Sequence, residues 1–582
     1  MNLLTGHPSR RAQWLLVAAV VVFGGVIRFH GLASESLWLD EIFSVEYVAR
    51  RGFADAVGDT FSYDYHPFLY YALLDAWTAA LGHGDVVTRA LSALLGTAGI
   101  AAAYALGRQV AGIGAGLLTA SLVALSPAAL LYSQEVRMYG LAIGLWPLCL
   151  ASLVRLLDHG GSPTARLALL CSCFLLCYTQ GTSGALVLPF VSCVLGWHIV
   201  REFRAGRKQN AAAGLFLLGA LALLYLPWAL RLAMHVRSPA HARPLDGAAW
   251  LRLVRHLVFG VQVPYRPAAV LGLVAVAVLL LLFLAKGASF GPGFAVLAAS
   301  LVGIPLTQWA LHSVKPCYHP RNLVFLLVPL LAFPAVTAVK GLRRARESKR
   351  QSVRLAVLLP AAGLACMLLL ASGWLTLRHI ERGAGREQWR EAVAYFAHHA
   401  ARDDRVVFYA NVVERCFNHY LYGYDGGSAA TGQRPRFATY GVARTRNAAG
   451  LGKELGSVLD DLNHAPEGAA LWVFYSHVPN AAMVDRHLVA GGLRGSHVWQ
   501  GIGIELWRYV PAAAGTLPEQ AQRPIGTLYR DAFPQQKLLR LFCHEVRRIF
   551  PGRPGYQPGW VHGARRAGQV ARPTSVTGAG PR

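Results

Sequence analysis

Long apolar blocks are the feature that most constrains how this chain can fold. The runs 15–27, 271–284 and 355–370 contain no charged residue. The whole chain is 54% hydrophobic and only 15% charged, whereas a soluble domain carries roughly 25% charged residues. A helix that crosses the hydrocarbon core needs about 20 mainly apolar residues. The sequence therefore predicts an α-helical protein that crosses the membrane many times.

Taken in chain order, the apolar blocks predict about eleven spans. They cover residues 13–31, 88–107, 113–131, 140–157, 166–181, 184–200, 211–229, 267–285, 293–312, 322–339 and 355–375. The first block resembles a signal peptide, but it is long and lacks a small-residue cleavage motif before His30. We therefore expect it to be an uncleaved first span.

Basic residues in the short loops predict the orientation of these spans. Cytoplasmic loops hold an excess of Lys and Arg. With a cytoplasmic N-terminus, the inner loops receive Arg108, the basic segment 201–208 and the cluster 340–354. An odd number of spans then places the chain after about residue 378 outside. High Ala, Arg and Gly content favours a bacterial source, so we expect the bacterial inner membrane.

The segment 66–81 is apolar and helical in pattern, but it is only about 15 residues long, short of the roughly 20 that a span needs. If it crossed the bilayer, every later basic loop would face outward, against the charge rule. We therefore expect an interfacial helix on the outer surface, with Pro67 in its first turn.

The sequence divides into three regions. Residues 1–378 form the transmembrane domain, whose first outer loop covers about 32–87. Residues 379–510 alternate short apolar runs with polar helical stretches, which predicts a small extracytoplasmic α/β domain. Residues 511–582 are basic and rich in Pro and Gly, and we expect this tail to be partly disordered.

Charge and cysteine content exclude two other functions. The net charge of +26 lies in loops between apolar blocks and in the tail, and no basic-aromatic motif of a nucleic-acid-binding module accompanies it. We therefore expect membrane lipids, and no nucleic acid, as partners of these charges. The nine cysteines contain no CxxC pair with metal spacing, so no zinc site is predicted.

The predicted orientation brings ionisable side chains to one outer membrane face. Such groups at the ends of spans are costly and usually face a cavity. For Asp64 and Lys315 a solvated loop charge is the simpler interpretation. The full set is Asp40, Glu41, Asp64, His66, Glu135, Arg137, Lys315, His319 and Arg321.

Two segments of this set have alternative interpretations. In residues 36–41 (SLWLDE) the acidic pair suits a helix N-terminus, where carboxylates interact well with the helix dipole. It equally suits a carboxylate that accepts a proton from an incoming hydroxyl. In residues 133–139 (SQEVRMY), Arg137 suits either a phosphate, through its planar guanidinium, or lipid headgroups.

The order of these motifs resembles the GT-C membrane glycosyltransferases. The resemblance is to the dolichyl-phosphate-mannose–protein mannosyltransferase-like family (glycosyltransferase family 39) and its bacterial relatives, which include the lipid A aminoarabinose transferase. It covers about the first 160 residues and continues weakly in 318–321 (YHPR). The matching segments are 36–41, 66–71 (HPFLYY), 89–96 (RALSALLG) and 126–139. Phe68 stands where the family usually has a second proline.

The resemblance implies a GT-C-like fold and a set of site residues. Asp40 corresponds to the catalytic base, with Glu41 beside it as a second catalytic residue. The residues implied in binding the donor phosphate or substrate are His66, Glu135, Arg137, Tyr139 and Arg321. Some relatives use a divalent cation, which Asp40, Glu41 and Glu135 could hold through carboxylate oxygens; the sequence does not decide whether one is needed.

The reaction implied is inverting transfer of a sugar from a polyprenyl-phosphate carrier to an extracytoplasmic glycan, lipid or protein. A membrane transporter or lipid flippase is the alternative, which predicts internal repeats and broken helices near the bilayer midplane. A scaffold that uses its outer domain only for binding is a third possibility, and it should tolerate loss of the carboxylate at position 40. Neither the sugar nor the acceptor follows from the sequence.

Overall fold

The computed structural model describes residues 9–49, 66–158, 162–235, 245–259, 291–314, 317–347, 351–383, 385–423, 437–442, 448–476 and 481–512. The helices up to residue 382 are α1 (Arg10–Phe29), α2 (Leu39–Ala49), α3 (Leu69–Leu81), α4 (Asp85–Ala111), α5 (Ile113–Ala124), α6 (Pro127–Ser133), α7 (Tyr139–Asp158), α8 (Pro163–Cys177), α9 (Ser183–Arg204), α10 (Lys208–His235), α11 (Gly247–Phe259), α12 (Pro292–Val314), α13 (Leu327–Glu347) and α14 (Gln351–Arg382), and a 3-10 helix (Pro320–Leu326) precedes α13.

The helical bundle confirms a multi-pass membrane protein. In the described residues 8 helices are long and apolar enough to span a bilayer, or up to 9 if the bent pair α5 and α6 is one span. The apolar helix α8 is shorter, at 15 residues. Each predicted span overlaps at least one helix, except 267–285, which lies outside the described residues. Asp64 and Lys315 also lie outside them.

The predicted span 113–131 is divided in two, because the chain bends by 63° between α5 and α6. Pro127 starts α6, where a missing N–H costs nothing, and the Ser126 hydroxyl accepts the Ala129 N–H at 3.2 Å. The buried guanidinium of Arg28 in α1 donates to the carbonyl oxygens of Val123 (3.0 Å) and Ala124 (3.3 Å). These bonds satisfy backbone groups that the end of α5 leaves without helical partners.

Small residues bring α4 close to α7 and to the end of α6. A Cβ atom added at Gly99 would lie 3.4 Å from the Cα of Gly144, and one at Gly96 would lie 2.0 Å from the hydroxyl of Ser133. Close approach at small residues is the usual packing of helices in membranes. As a result the N-terminal end of α4 lies beside the polar segment 133–139.

Two short helices lie at the same end of the bundle, which we call the site end. Helix α2 carries Asp40 and Glu41 in its first turn. Helix α3 begins after Pro67 and Phe68, which confirms a separate helix in the segment predicted to be interfacial. The Phe68 ring, just before α3, lies 5.6 Å from the ring of Tyr178 at the end of α8, and the two rings are tilted by 56°.

Residues 385–512 contain a five-stranded mixed sheet, within the region predicted to be α/β. Its strands, in spatial order 2-1-3-5-4, are β1 (Arg405–Tyr409), β2 (Ala438–Val442), β3 (Leu471–Ser476), β4 (Leu493–Gly501) and β5 (Ile504–Pro511). The first three strands are parallel, and β5 is antiparallel to β3 and to β4. The helices are α15 (Trp389–His399), α16 (Glu414–Tyr422), α17 (Ala448–Asn463) and α18 (Ala481–Ala490).

Helices cover both faces of this sheet, as expected for parallel strands that are buried on both sides. On one face Phe396 of α15 and Phe417 of α16 pack against Phe474. On the other face Leu451 of α17 and Val484 of α18 join a buried cluster. Residues 513–582, which include nearly all of the predicted tail, lie outside the described residues. The cysteines that the structure describes are all free.

Candidate functional site

Asp40 and Arg321 form an ion pair at the site end, although 281 residues separate them in sequence. The Arg321 Nη1 donates to the Asp40 Oδ2 at 3.0 Å, and the two side chains are 27% and 37% exposed. Arg321 lies in the 3-10 helix before α13, and its backbone N–H donates to the Nδ1 of His319. Both charged groups are therefore fixed by short helical segments and remain accessible to a ligand.

Aromatic rings enclose the Arg321 guanidinium. Its central carbon lies 4.5 Å from the ring centre of Trp38 and 5.9 Å from that of Tyr139. A ring close to a guanidinium attracts its charge and favours stacking of the two planes. The side chain is thus held in a defined direction, with N–H groups of the kind that bind phosphate in pairs.

Glu135 is a second acidic group beside Arg321, and it is buried. Its Oε1 lies 3.7 Å from the Arg321 Nη1. Burial raises the pKa of Glu135 above its ordinary value, and the nearby charges of Arg321 and Arg386 offset only part of that effect. Among the described residues the Oε1 atom has no hydrogen-bond partner. Two carboxylates therefore share one guanidinium, and one of them is shielded from solvent.

Arg137 places a second positive charge next to Asp40. Its Nη1 lies 3.2 Å from the hydroxyl of Ser44, 3.4 Å from that of Tyr71 and 3.5 Å from the backbone oxygen of Asp40. The side chain is buried. This position, inside the protein, does not fit contact with lipid headgroups.

Glu41 has a different environment from its neighbour Asp40. It is fully buried and accepts two hydrogen bonds from Arg89, at 2.9 and 2.7 Å, and one from the Val136 N–H at 3.0 Å. Burial alone would raise the pKa of Glu41, but the charges of Arg386 and Arg89 and these hydrogen bonds outweigh burial and hold it below the usual range. The Glu41 Oε2 also accepts the Trp38 N–H at 3.3 Å.

This last contact resembles half of a capping box, in which a Glu in the first helical turn bonds back to the residue before the helix. The two interpretations of the acidic pair therefore apply to different residues. Glu41 stabilises the start of α2 and its attachment to α4. Asp40 is the carboxylate of the pair that meets Arg321. The contacts favour a structural role for Glu41 over the catalytic one expected from the sequence.

The three carboxylates expected to hold a divalent cation do not fit such a site. Both oxygens of Glu41 are engaged by Arg89, whereas Asp40 and Glu135 face Arg321. In the part of the chain that the structure describes, no group of three or more His, Cys, Asp or Glu side chains could hold a metal ion. Arg321 supplies the positive charge between Asp40 and Glu135.

His66 contacts the loop between α8 and α9. Its Nδ1 accepts the Gly181 N–H at 3.4 Å, and the Trp228 indole donates to the Gly181 oxygen at 3.1 Å. The helix that follows His66 reaches the charged cluster through Tyr71. The structure thus brings Asp40, Glu135, Arg137, Tyr139 and Arg321 together, and places His66 at the junction that orients α3.

Several residues at this end were not assigned a role from the sequence. Arg28 and Arg89 lie in apolar helices, and a charged residue in a predicted span is a signal for function that could have identified both. Arg386 follows α14, and its Nη2 donates to the Gln134 oxygen at 2.8 Å. His256 of α11 hydrogen-bonds the Tyr132 hydroxyl, and no sequence pattern indicated this contact.

No protein-family model and no curated protein sequence matches this chain. Solved structures do match it. The structure of ArnT from Cupriavidus metallidurans in the apo state aligns with a TM-score of 0.53 at 15% identity and covers 88% of this chain and 100% of that chain. The structure of the same protein bound to undecaprenyl phosphate aligns with a TM-score of 0.51, the same identity and the same coverage.

These matches establish the class of the fold. ArnT is a GT-C glycosyltransferase, and the alignment extends over its whole length. The present chain therefore has the GT-C fold, as the order of its motifs predicted. At 15% identity the likeness concerns the fold alone, so the chemistry has to be argued from the site.

Proposed function

We propose that this protein is an inverting glycosyltransferase that moves a sugar from a polyprenyl-phosphate carrier to an acceptor hydroxyl. The observation that carries the proposal is the accessible Asp40–Arg321 pair, whose guanidinium lies close to the rings of Trp38 and Tyr139. It combines a carboxylate that can take a proton with a guanidinium that can hold a phosphate. ArnT, which has the same fold, was solved with undecaprenyl phosphate bound.

In the proposed reaction Asp40 accepts the proton of the acceptor hydroxyl. The acceptor oxygen attacks the anomeric carbon from the side opposite the phosphate, so the configuration inverts. The bond between the anomeric carbon and the phosphate oxygen breaks, and its electron pair leaves with the phosphate. Arg321 and Arg137 stabilise the charge that develops on the departing phosphate. Much of the rate enhancement then comes from positioning the two substrates.

Burial assigns the remaining residues to supporting roles. Glu135 is buried and approaches the same Nη1 atom of Arg321 that Asp40 contacts, while the ring of Tyr139 lies beside the guanidinium. The proposal uses no divalent cation, because Glu41 is engaged by Arg89 and the other two carboxylates face Arg321. The transporter alternative is not favoured, since these charged groups lie at the ends of helices rather than at mid-span.

We also propose that the site end faces the outside of the bacterial inner membrane. Basic residues accumulate at the opposite end of the bundle, as at the end of α13, which carries Lys340, Arg343, Arg344 and Arg346, and the positive-inside rule places that end in the cytoplasm. The α/β region then lies outside, because it contacts the segment before α2 at the site end. The acceptor would be an extracytoplasmic glycan, lipid or protein.

The test compares Asp40→Asn with the wild-type protein in membranes. Mass analysis of cell-envelope glycans, lipids and proteins should show one sugar modification that disappears in the variant while the protein is still expressed and folded. Asp158→Asn is the matched control: it removes one negative charge at the far end of α7, about 30 Å from Tyr139 by helix length. Unchanged modification in Asp40→Asn would remove Asp40 as the base.

A further inference from the structure

The segment 33–37 leads directly to Trp38 and Asp40 and forms no regular helix or strand. One side of it is held by the membrane bundle. The guanidinium of Arg89 donates to the backbone oxygens of Leu32 (2.8 Å), Glu35 (2.6 Å) and Ser36 (2.9 Å). Because this contact comes from α4, it fixes the segment to the bundle and leaves its opposite side open.

The α/β region holds the opposite side at four points. The Gly385 N–H donates to the Glu35 carboxylate at 2.8 Å, and the Ser36 hydroxyl donates to the Glu387 oxygen at 2.8 Å. Arg390 lies 3.3 Å from the Ala33 oxygen. We call these contacts, together with the one from Tyr420 described next, the clasp.

Tyr420 of α16 makes the contact nearest to Asp40. Its hydroxyl accepts the backbone N–H of Leu37 at 2.6 Å and donates to the Asp85 Oδ2 at 3.1 Å. Leu37 is fully buried, so its N–H would be left unsatisfied if the tyrosine hydroxyl were removed. Asp85 lies in the first turn of α4. One hydroxyl group therefore joins the α/β region, the segment before α2 and the bundle.

We propose that Tyr420 is a positioning residue, which holds the segment 33–37 so that Asp40 meets the acceptor hydroxyl. This inference rests on the proposed function. Tyr420 acts at Leu37, three residues before Asp40. Catalytic groups lose much of their effect when they move by about 1 Å. The α/β region thus acts on the position of Asp40 through the segment 33–37.

Tyr420→Phe tests the proposal, with Tyr440→Phe as a matched control. Both changes remove one phenolic hydroxyl from the α/β region. The Tyr440 hydroxyl bonds to Asp461 within that region and does not reach the clasp. We expect Tyr420→Phe to lower kcat roughly tenfold to a hundredfold, with the KM for the donor and the binding of undecaprenyl phosphate unchanged. Tyr440→Phe should leave all three quantities at the wild-type values.

Hydrogen exchange gives a readout that does not depend on activity. Amides in the peptide 34–41 should exchange faster in Tyr420→Phe than in the wild type, because the Leu37 N–H has lost its acceptor, and should be unchanged in Tyr440→Phe. Ser36→Ala removes another clasp contact and should give the same split between kcat and KM. It serves as a second variant if Tyr420→Phe folds poorly.

If Tyr420→Phe has the wild-type kcat and the wild-type rate of hydrogen exchange in the peptide 34–41, the proposal is wrong. Loss of undecaprenyl phosphate binding together with kcat would also overturn it, because the tyrosine would then support the whole structure rather than the base. If the wild-type protein transfers no sugar, the proposed function fails; the exchange rates then support or overturn the clasp by themselves.

Discussion

Replacing Asp40 with Asn tests whether this carboxylate and a donor phosphate compete for Arg321. In the structure the guanidinium is already paired with Asp40 at 3.0 Å, so a phosphate has to displace the carboxylate from it. Displacement of Asp40 from Arg321 by the phosphate would leave the Asp40 carboxylate able to accept a proton only once the donor is bound. Asp40→Asn removes the competing charge and keeps the size of the side chain.

The expected gain in affinity follows from the exposure of the pair. Both side chains are roughly one-third exposed, and exposed ion pairs are worth about 0.2–1 kcal/mol. The change also removes repulsion between Asp40 and the phosphate, which adds a term of about 1 kcal/mol at separations near 5 Å in a largely aqueous environment. Together these give ~1–2 kcal/mol, which corresponds to roughly 5- to 30-fold tighter binding.

The assay measures the binding of undecaprenyl phosphate to the purified protein in lipid nanodiscs, beside sugar transfer in membranes. Asp40→Asn should bind the lipid more tightly and transfer no sugar. Asp158→Asn, with the same change in net charge, should bind and transfer like the wild type. Raising the salt concentration should narrow the difference between wild type and Asp40→Asn, because the competing pair is partly exposed.

Equal or weaker binding by Asp40→Asn would refute the competition between carboxylate and phosphate. If the variant kept its transfer activity, the proposed role of Asp40 as base would be wrong as well. If Asp158→Asn bound the lipid more tightly to the same extent, the effect would be one of net charge. That result would also contradict a specific competition between Asp40 and the phosphate for Arg321.

Two further predictions concern the buried charges. Arg89→Leu removes the two hydrogen bonds that Arg89 donates to the buried Glu41 carboxylate and leaves Arg386, 3.9 Å away, as the remaining counter-charge, which costs up to about 3–5 kcal/mol; its melting temperature should fall well below that of the wild type, and Arg89→Leu/Glu41→Leu should recover part of the loss. No recovery in the double variant would show that Arg89 acts mainly through the backbone of residues 32–36. Burial raises the pKa of Glu135, so the folded protein holds that proton more tightly than the unfolded chain. Stability is therefore lost as pH rises from about 4.3, the ordinary pKa of Glu, through the raised value. Glu135→Gln should raise the melting temperature more at pH 7 than at pH 4, and an equal effect at both values would contradict a raised pKa.

Hydropathy determined the membrane architecture from the sequence alone. A span needs a long apolar block whatever its neighbours are, so each block that the structure describes could be located without knowing what it packs against. Alternation of short apolar and polar runs likewise predicted the α/β region, because that pattern reports strands and helices locally. The break in 113–131 was not predicted, although Ser126 and Pro127 are a local signal for the start of a helix; the Arg28 contacts that satisfy the end of α5 come from another helix.

The candidate site was predicted only in part. The sequence indicated Asp40 and Arg321 through the resemblance, but the distance between them depends on where the fold places α2 and the 3-10 helix Pro320–Leu326. It did not distinguish Glu41 from Asp40, because two adjacent acids in a first helical turn look alike until their partners are known. Arg89 decides the difference, since it pairs with Glu41 and not with Asp40.

The contacts of the clasp could not be predicted from the sequence and are seen only in the tertiary structure. Tyr420 lies 383 residues after Leu37, and a tyrosine in a helix of a separate region carries no local signal of such a contact. What the sequence by itself determined was therefore which segments are helical, which cross the membrane and which residue types are available for chemistry. Only the folded chain decided which charges meet, because burial and partners depend on residues that are remote in sequence.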